Sequence, residues 1–196
     1  NPDFLIKTVD MSQILTLVAS RNNKGLVSFL KDRITEIDGV DFSAIASNTP
    51  HIVFDELSKE VTVPLISIVE ETCKEIKSRK LKKVGLLGTH STMASGFYQE
   101  KAAAYGIEII TPSESQKEYV HDKYINELLY RDIRPETKRE LINIVKDLCQ
   151  KNNIKALVLG GTELPLILSE NDFKDIAVLD TTKIHVEAIV KRMLSV

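Results

Sequence analysis

Short continuous apolar runs alternate along the chain with longer stretches whose apolar residues recur every three or four positions. The runs are Phe4–Thr8, Phe42–Ala46, Pro64–Ile68, Lys83–Leu87, Ile107–Ile110, Ala156–Leu159 and Ile176–Leu179. They are mostly continuous rather than alternating, the pattern of strands covered on both faces. The longer stretches predict helices over Lys24–Ile37, Pro50–Lys59, Val69–Ser78, Met93–Tyr105, Ser115–Leu129, Pro135–Lys151 and Thr182–Leu194. Ser113 or Ser115 is placed to cap the fifth of these, and Pro135 suits the first turn of the sixth. So regular an alternation predicts an α/β fold, with parallel β-sheet flanked by helices.

Two segments share a coarse plan. Phe42–Ala46 runs into Ser47-Asn48-Thr49-Pro50-His51, and Ala156–Leu159 runs into Gly160-Gly161-Thr162-Glu163-Leu164-Pro165. Each reads as strand, small polar turn, proline, helix. This predicts two similar lobes facing each other, with Pro64–Ser78 near the crossover. In parallel sheets ligands bind beyond the carboxyl ends of the strands. Clusters of small and polar residues stand at such ends: Ser47–His51, Gly88-Thr89-His90-Ser91-Thr92 and Gly160–Glu163. Helix N-termini there would offer backbone N–H groups to an anion, and the hydroxyls would add donors. A helix cap is the plainer reading of any one cluster. Clusters at equivalent strand ends favour a site for a ligand with more than one carboxylate.

Among the histidines, His51 and His185 each fall in the first turn of a predicted helix, where acid/base or ligand-orienting work competes with packing at a helix terminus. His90 is a weaker candidate, and His121, in mid-helix, is expected to be exposed. Glu163 either fixes its loop or faces the ligand. Cys73 and Cys149 are the two cysteines of the chain and lie in charged helical stretches. Nothing nearby would depress a thiol pKa, so both read as structural.

The remaining composition narrows the class. A net charge of -2 gives no reason to expect nucleic acid or an anionic membrane as partner. Two cysteines without metal-ligand spacing argue against a disulfide framework or a zinc site and fit a reducing, cytoplasmic setting. No apolar run approaches the roughly 20 residues of a membrane span. No secretory leader is apparent, although the sequence opens Asn1-Pro2 without a methionine.

Val84-Gly85-Leu86-Leu87-Gly88-Thr89, the Ser47–His51 segment, the Gly160–Pro165 segment and Asp180-Thr181-Thr182 with His185 together resemble the aspartate/glutamate racemase superfamily. The resemblance runs over essentially the whole chain, with the motifs in order. It implies two pseudosymmetric α/β lobes with the site between them. The implied division is 1–68 plus 180–196 for the first lobe, apparently lacking its usual N-terminal strand, and 69–179 for the second. It also implies a homodimer, a small amino acid or dicarboxylate as ligand, and no cofactor or metal. The family's chemistry uses one cysteine per lobe. One thiolate removes the α-proton and the opposite thiol returns a proton to the other face, since inversion needs a base and an acid on opposite sides. A thiol, with a pKa of about 8.5, serves in either state near neutrality.

The chain departs from that pattern where the cysteines belong. Ser47 stands before the Asn-Thr pair, and Gly161 before Thr-Glu. A serine there would need an adjacent base, for which His51 is the candidate. Gly161 carries no proton-transfer group, and a glycine at positive φ would receive a cysteine poorly. The substrate cage implied by the resemblance is Asn48, Thr49, His51, Thr89, Thr92, Thr162 and Glu163. Where many relatives place an arginine after Phe4–Thr8, this chain has Asp10-Met11-Ser12; Arg131 or Arg134, before Pro135, is the weaker candidate to compensate, and His185 is a further weaker site candidate. Three readings stay open: a racemase or epimerase with altered chemistry, a non-catalytic carboxylate binder, and a related lyase or decarboxylase.

Overall fold

A computed structural model describes residues 3–195. The chain opens with helix α1 (Met11–Ala19) and helix α2 (Asn23–Thr35), followed by strand β1 (Ser43–Ala44) and a 3-10 turn over Thr49–Val53. Helix α3 (Phe54–Glu60), strand β2 (Leu65–Ile66) and helix α4 (Ile68–Ser78) come next. Strand β3 (Lys83–Gly88), helices α5 (His90–Ala94) and α6 (Phe97–Ala104), strand β4 (Glu108–Ile110), and helices α7 (Glu114–Asn126) and α8 (Pro135–Asn152) form the middle of the chain. Strands β5 (Ala156–Gly160) and β6 (Ala177–Asp180) and helix α9 (Thr181–Met193) complete it. Pairing is parallel throughout, in a two-stranded sheet β1-β2 and a four-stranded sheet of order β4-β3-β5-β6. The fold is therefore α/β with two lobes of unequal size.

The apolar runs explain the larger sheet. Along β3 and β5, successive side chains alternate between two buried clusters, as the pleat requires. Leu87, Leu157 and Leu159 pack under α7 and α8 with Val120, Leu141, Val145 and Leu148. Val84, Leu86, Ala156 and Val158 pack on the opposite face with Ile68, Cys73 and Ile76 of α4 and Tyr98 and Ala102 of α6. A sheet covered on both faces needs no polar alternation, and its sequence shows none. The smaller lobe closes around Ile14, Leu26, Leu30, Val53 and Leu57.

Several sequence expectations change. Phe4–Thr8 has no strand pairing, and Phe4, Leu5 and Ile6 stand 72%, 70% and 80% exposed. A strand needs a neighbour for its N–H and C=O groups, and no described segment supplies one. Helix α1 is an addition to the predicted set. Asp10 accepts the amide of Ser12 as its cap, and Ile14 reaches the core. The stretch Met93–Tyr105 is two helices, because Gly96 takes φ 93° between them. Ser113 and Gln116 form a reciprocal cap on α7, and Pro135 opens α8.

Helix α9 packs on α4 and on the β5–β6 edge of the larger sheet. His185, on α9, reaches across to the carbonyl of Ile66 in β2. The last helix thus touches both lobes.

Candidate active site between the lobes

The Gly160–Pro165 and Ser47–His51 segments share a local plan: each leads from a strand into a proline-bearing 3-10 turn, Leu164–Leu166 in one and Thr49–Val53 in the other. These turns are short, as is the five-residue α5 after β3. The helix-terminus argument made from the sequence is therefore weakened, since a macrodipole needs several aligned turns. At α9, which is long enough, the amides of Thr182 and Lys183 are already taken by the Asp180 carboxylate. Donors for an anion must come from local hydroxyls and loop amides.

Side-chain hydroxyls meet across the lobes. Thr49 of the small lobe lies 3.0 Å from Thr89 and 3.3 Å from Thr92, and these two lie 3.1 Å apart, oxygen to oxygen. The close approach rests on glycine at the end of β3. A Cβ on Gly88 would come within 2.7 Å of the Gly160 carbonyl oxygen and 2.8 Å of the Thr92 methyl. In such a triangle each hydroxyl can donate to one neighbour, and Thr89 also accepts the Thr92 amide at 3.2 Å. A carboxylate needs a donor, and the 3.3 Å Thr49–Thr92 edge is the least costly to open.

Asn48 joins the same seam in a buried position. Its amide nitrogen donates to the Thr181 hydroxyl at 3.0 Å, and its oxygen accepts from the Tyr98 hydroxyl at 2.7 Å. Thr181 in turn donates to the Leu159 carbonyl at 2.8 Å. Burial pushes the Tyr98 phenol pKa up, so it remains a donor. Tyr98→Phe would leave the Asn48 oxygen unpaired in a dry site. The expected loss is about 1–3 kcal/mol of unfolding free energy by denaturant titration. A loss below about 0.5 kcal/mol would show that the bond contributes little net stability.

His51 is fully committed to backbone groups. The Ser47 carbonyl at 2.8 Å can only accept, so Nδ1–H donates to it; the Ile68 amide at 3.2 Å can only donate, so Nε2 accepts. Burial, with His185 nearby, lowers its pKa to about 3. His51 thus has no nitrogen left to serve Ser47 as a base or a ligand as a partner. His185 is likewise buried, donating from Nε2 to the Ile66 carbonyl at 3.1 Å. The Ser47 side chain is half-buried and makes no hydrogen bond among the described residues.

Past the end of β5, Thr162 donates to a Glu163 carboxylate oxygen at 2.7 Å, and the Tyr124 hydroxyl of α7 donates to that same oxygen. Tyr124 was absent from the sequence-predicted site. Gly161 does not adopt positive φ, unlike Gly39, Gly96 and Gly106, so its backbone would accept a side chain. The space is what forbids one: a Cβ at 161 would lie 2.5 Å from Tyr124 Cε2 and 2.9 Å from its hydroxyl.

The remaining candidates lie apart. Arg134 pairs with Asp132 at 2.6 Å and Glu127 at 3.6 Å. Arg131 is exposed in a left-handed conformation. Neither bonds to the strand-end clusters among the described residues. His90 lies 2.6 Å from Glu114, and its amide donates to His121, which is half-buried rather than exposed. Cys73 and Cys149 are buried, and burial pushes their thiols to about 12 and about 11, which suits structural residues. No described helix is long and apolar enough to cross a membrane.

A parallel α/β fold with its polar cluster at the strand ends between two lobes is that of a class of amino-acid racemases. Residues 10–189 match the Asp/Glu/Hydantoin racemase family, and the chain belongs to that family. It is 30% identical over 167 residues to a glutamate racemase of Aquifex aeolicus, an alignment covering 83% of this chain and 61% of that protein. An aspartate racemase homologue from Pyrococcus horikoshii superposes with a TM-score of 0.79 at 28% identity, covering 97% of this chain and 83% of that one. Picrophilus torridus aspartate racemase superposes with a TM-score of 0.65 at 25% identity, over 85% of this chain and 69% of that one. The chain thus spans less than two thirds of the A. aeolicus enzyme's length.

Proposed function

We propose that the chain binds a small amino acid or dicarboxylate at the seam between its lobes and activates the ligand's α-carbon for proton transfer. The observation that carries this reading is the hydroxyl cluster Thr49–Thr89–Thr92, built from both lobes and backed by Asn48. Thr162 and Glu163 bound the opposite side, and Ser47 stands with a free hydroxyl where the family chemistry uses a thiol. Family membership supports an isomerase of the racemase type. The replaced thiols favour proton exchange on one face over efficient inversion. A second copy of the chain belongs to the same reading as its expected partner.

Ligand binding is tested by thermal shift with L- and D-aspartate, L- and D-glutamate and malonate. A ligand at 100 times its dissociation constant adds about 2.7 kcal/mol, a rise of several degrees in a chain of this size. The rise is expected with at least one of the dicarboxylates, and Thr49→Val should abolish it. A melting temperature indifferent to all of them would overturn the reading. The alternative, a carboxylate binder without turnover, is favoured by the absence of a thiol at both positions 47 and 161. It predicts the same thermal shift with no exchange of the ligand's α-proton.

A further inference from the structure

Glycine at 161 has no backbone explanation, since its φ lies outside the left-handed region. Its three closest potential clashes are all with one side chain: the Cε2, hydroxyl oxygen and Cζ of Tyr124. The missing side chain and the tyrosine therefore occupy one volume. The edge of the ring that fills it carries Cε2, 2.5 Å from where a Cβ would begin, and the hydroxyl oxygen at 2.9 Å.

The hydroxyl is also wired to a proton acceptor. It donates to Glu163 Oε2, which accepts a second hydrogen bond from Thr162 at 2.7 Å. Thr162 and Glu163 are half-buried, whereas Tyr124 is buried within the cluster formed by Val120, Leu128 and Leu159. The ring is thus held by the core while its hydroxyl and the carboxylate stand at the end of β5. Burial, with the Glu163 charge beside it, raises the phenol pKa and keeps the group protonated at rest.

We infer that Tyr124, acting through Glu163, is the proton-transfer group on the Gly161 side of the site, in the place of the family's second thiol. The inference rests on the proposed ligand site at the lobe seam. In the forward step the substrate Cα–H bond breaks and its proton passes to the Tyr124 oxygen. The phenolic proton moves to Glu163 Oε2 at the same time. The electron pair left on Cα is delocalised into the substrate carboxylate, and Glu163 ends as the neutral acid. The reverse step returns a proton to the same face. Tyr124 touches the reacting atom; Glu163 is a positioning and proton-accepting residue behind it. The Ser47 hydroxyl on the other face has no base, because His51 is spent on backbone groups. The site is therefore one-sided, and it should exchange α-hydrogen with retention of configuration.

The test follows α-proton washout by NMR in heavy water, with the single enantiomers of aspartate and glutamate as probes. Binding is monitored in parallel by saturation-transfer difference. The native protein is expected to exchange one enantiomer without inverting it. Tyr124→Phe, which keeps the ring in the core, should lower the rate by about 100-fold or more while the same probe still binds. Glu163→Gln should lower the rate at saturating ligand with little change in affinity, the split between rate and binding that a merely structural role would not produce. Exchange at the native rate in Tyr124→Phe would overturn the assignment. So would a native protein that binds the probe without exchanging it, leaving Tyr124 a space-filling residue and the ligand site intact. Absence of both binding and exchange would instead remove the ligand site, and the inference with it.

Discussion

A triple variant, Ser47→Cys with Gly161→Cys and Tyr124→Leu, is expected to invert the α-carbon of aspartate, at a rate about 100-fold or more above the native chain. Efficient inversion requires a titratable group on each face, and this chain offers a serine without a base on one and Tyr124 in place of a thiol on the other. Ser47→Cys alone changes one atom in a half-buried position. Gly161→Cys alone places a Cβ 2.5 Å from the Tyr124 ring. It should cost about 1–3 kcal/mol through overpacking, visible as a lowered denaturation midpoint. Leucine at 124 keeps a side chain in the core cluster but lacks the Cε2, Cζ and hydroxyl that collide, so the triple variant should regain most of that loss. Backbone strain does not oppose the change, because Gly161 is not at positive φ. Chiral chromatography of aspartate incubated with each variant distinguishes the cases. A folded triple variant that binds aspartate and leaves its configuration untouched would show that the two thiols are not what separates this site from racemisation.

The legibility of this molecule in its sequence follows burial. Strands β3, β5 and β6 stand where the apolar runs put them because both faces of that sheet are covered, leaving no polar alternation to confuse the pattern. In the small lobe the runs Phe42–Ala46 and Pro64–Ile68 contract to two paired residues each, since little sheet surrounds them. The clusters at Ser47, Gly88 and Gly160 were legible as candidate site segments because ligands of parallel sheets bind beyond the strand ends. Tyr124 was not legible. Its spacing in α7 marks it as a core residue, which its ring is. Only the arrival of β5 beside that helix shows the hydroxyl standing over Gly161. His51 misled for the converse reason. A histidine beside a serine reads as a base, and only the fold reveals both nitrogens spent on the Ser47 carbonyl and the Ile68 amide.

Acid is expected to lower the unfolding free energy well above the pH at which carboxylates titrate. His51 takes the Ile68 amide and the Ser47 carbonyl, and His185 takes the Ile66 carbonyl two residues before that amide. The two rings, with centroids 6.4 Å apart, clamp the crossover from β2 into α4. Both histidines have pKa values lowered by burial, His51 to about 3. A group held neutral in the fold but protonated at about 6.5 when unfolded gives its full stabilisation above that pH. The stabilisation is lost as pH falls from about 6.5 toward the folded pKa, at up to about 1.4 kcal/mol per pH unit for each histidine. Carboxylates begin to contribute only near their unfolded values of about 4, so the interval from pH 6.5 to 5 isolates the histidines. His121, whose pKa burial also lowers, adds a smaller share, and His121→Gln is the control for it. His51→Leu should cost about 2–5 kcal/mol at pH 7.5, because it leaves the Ser47 carbonyl and the Ile68 amide unpaired. It should also flatten the pH dependence by about one proton. Denaturant titrations at pH 7.5, 6 and 5 on the native chain and both variants measure this. A native stability that is level from pH 7.5 to 5, or a slope unchanged by His51→Leu, would rule the clamp out.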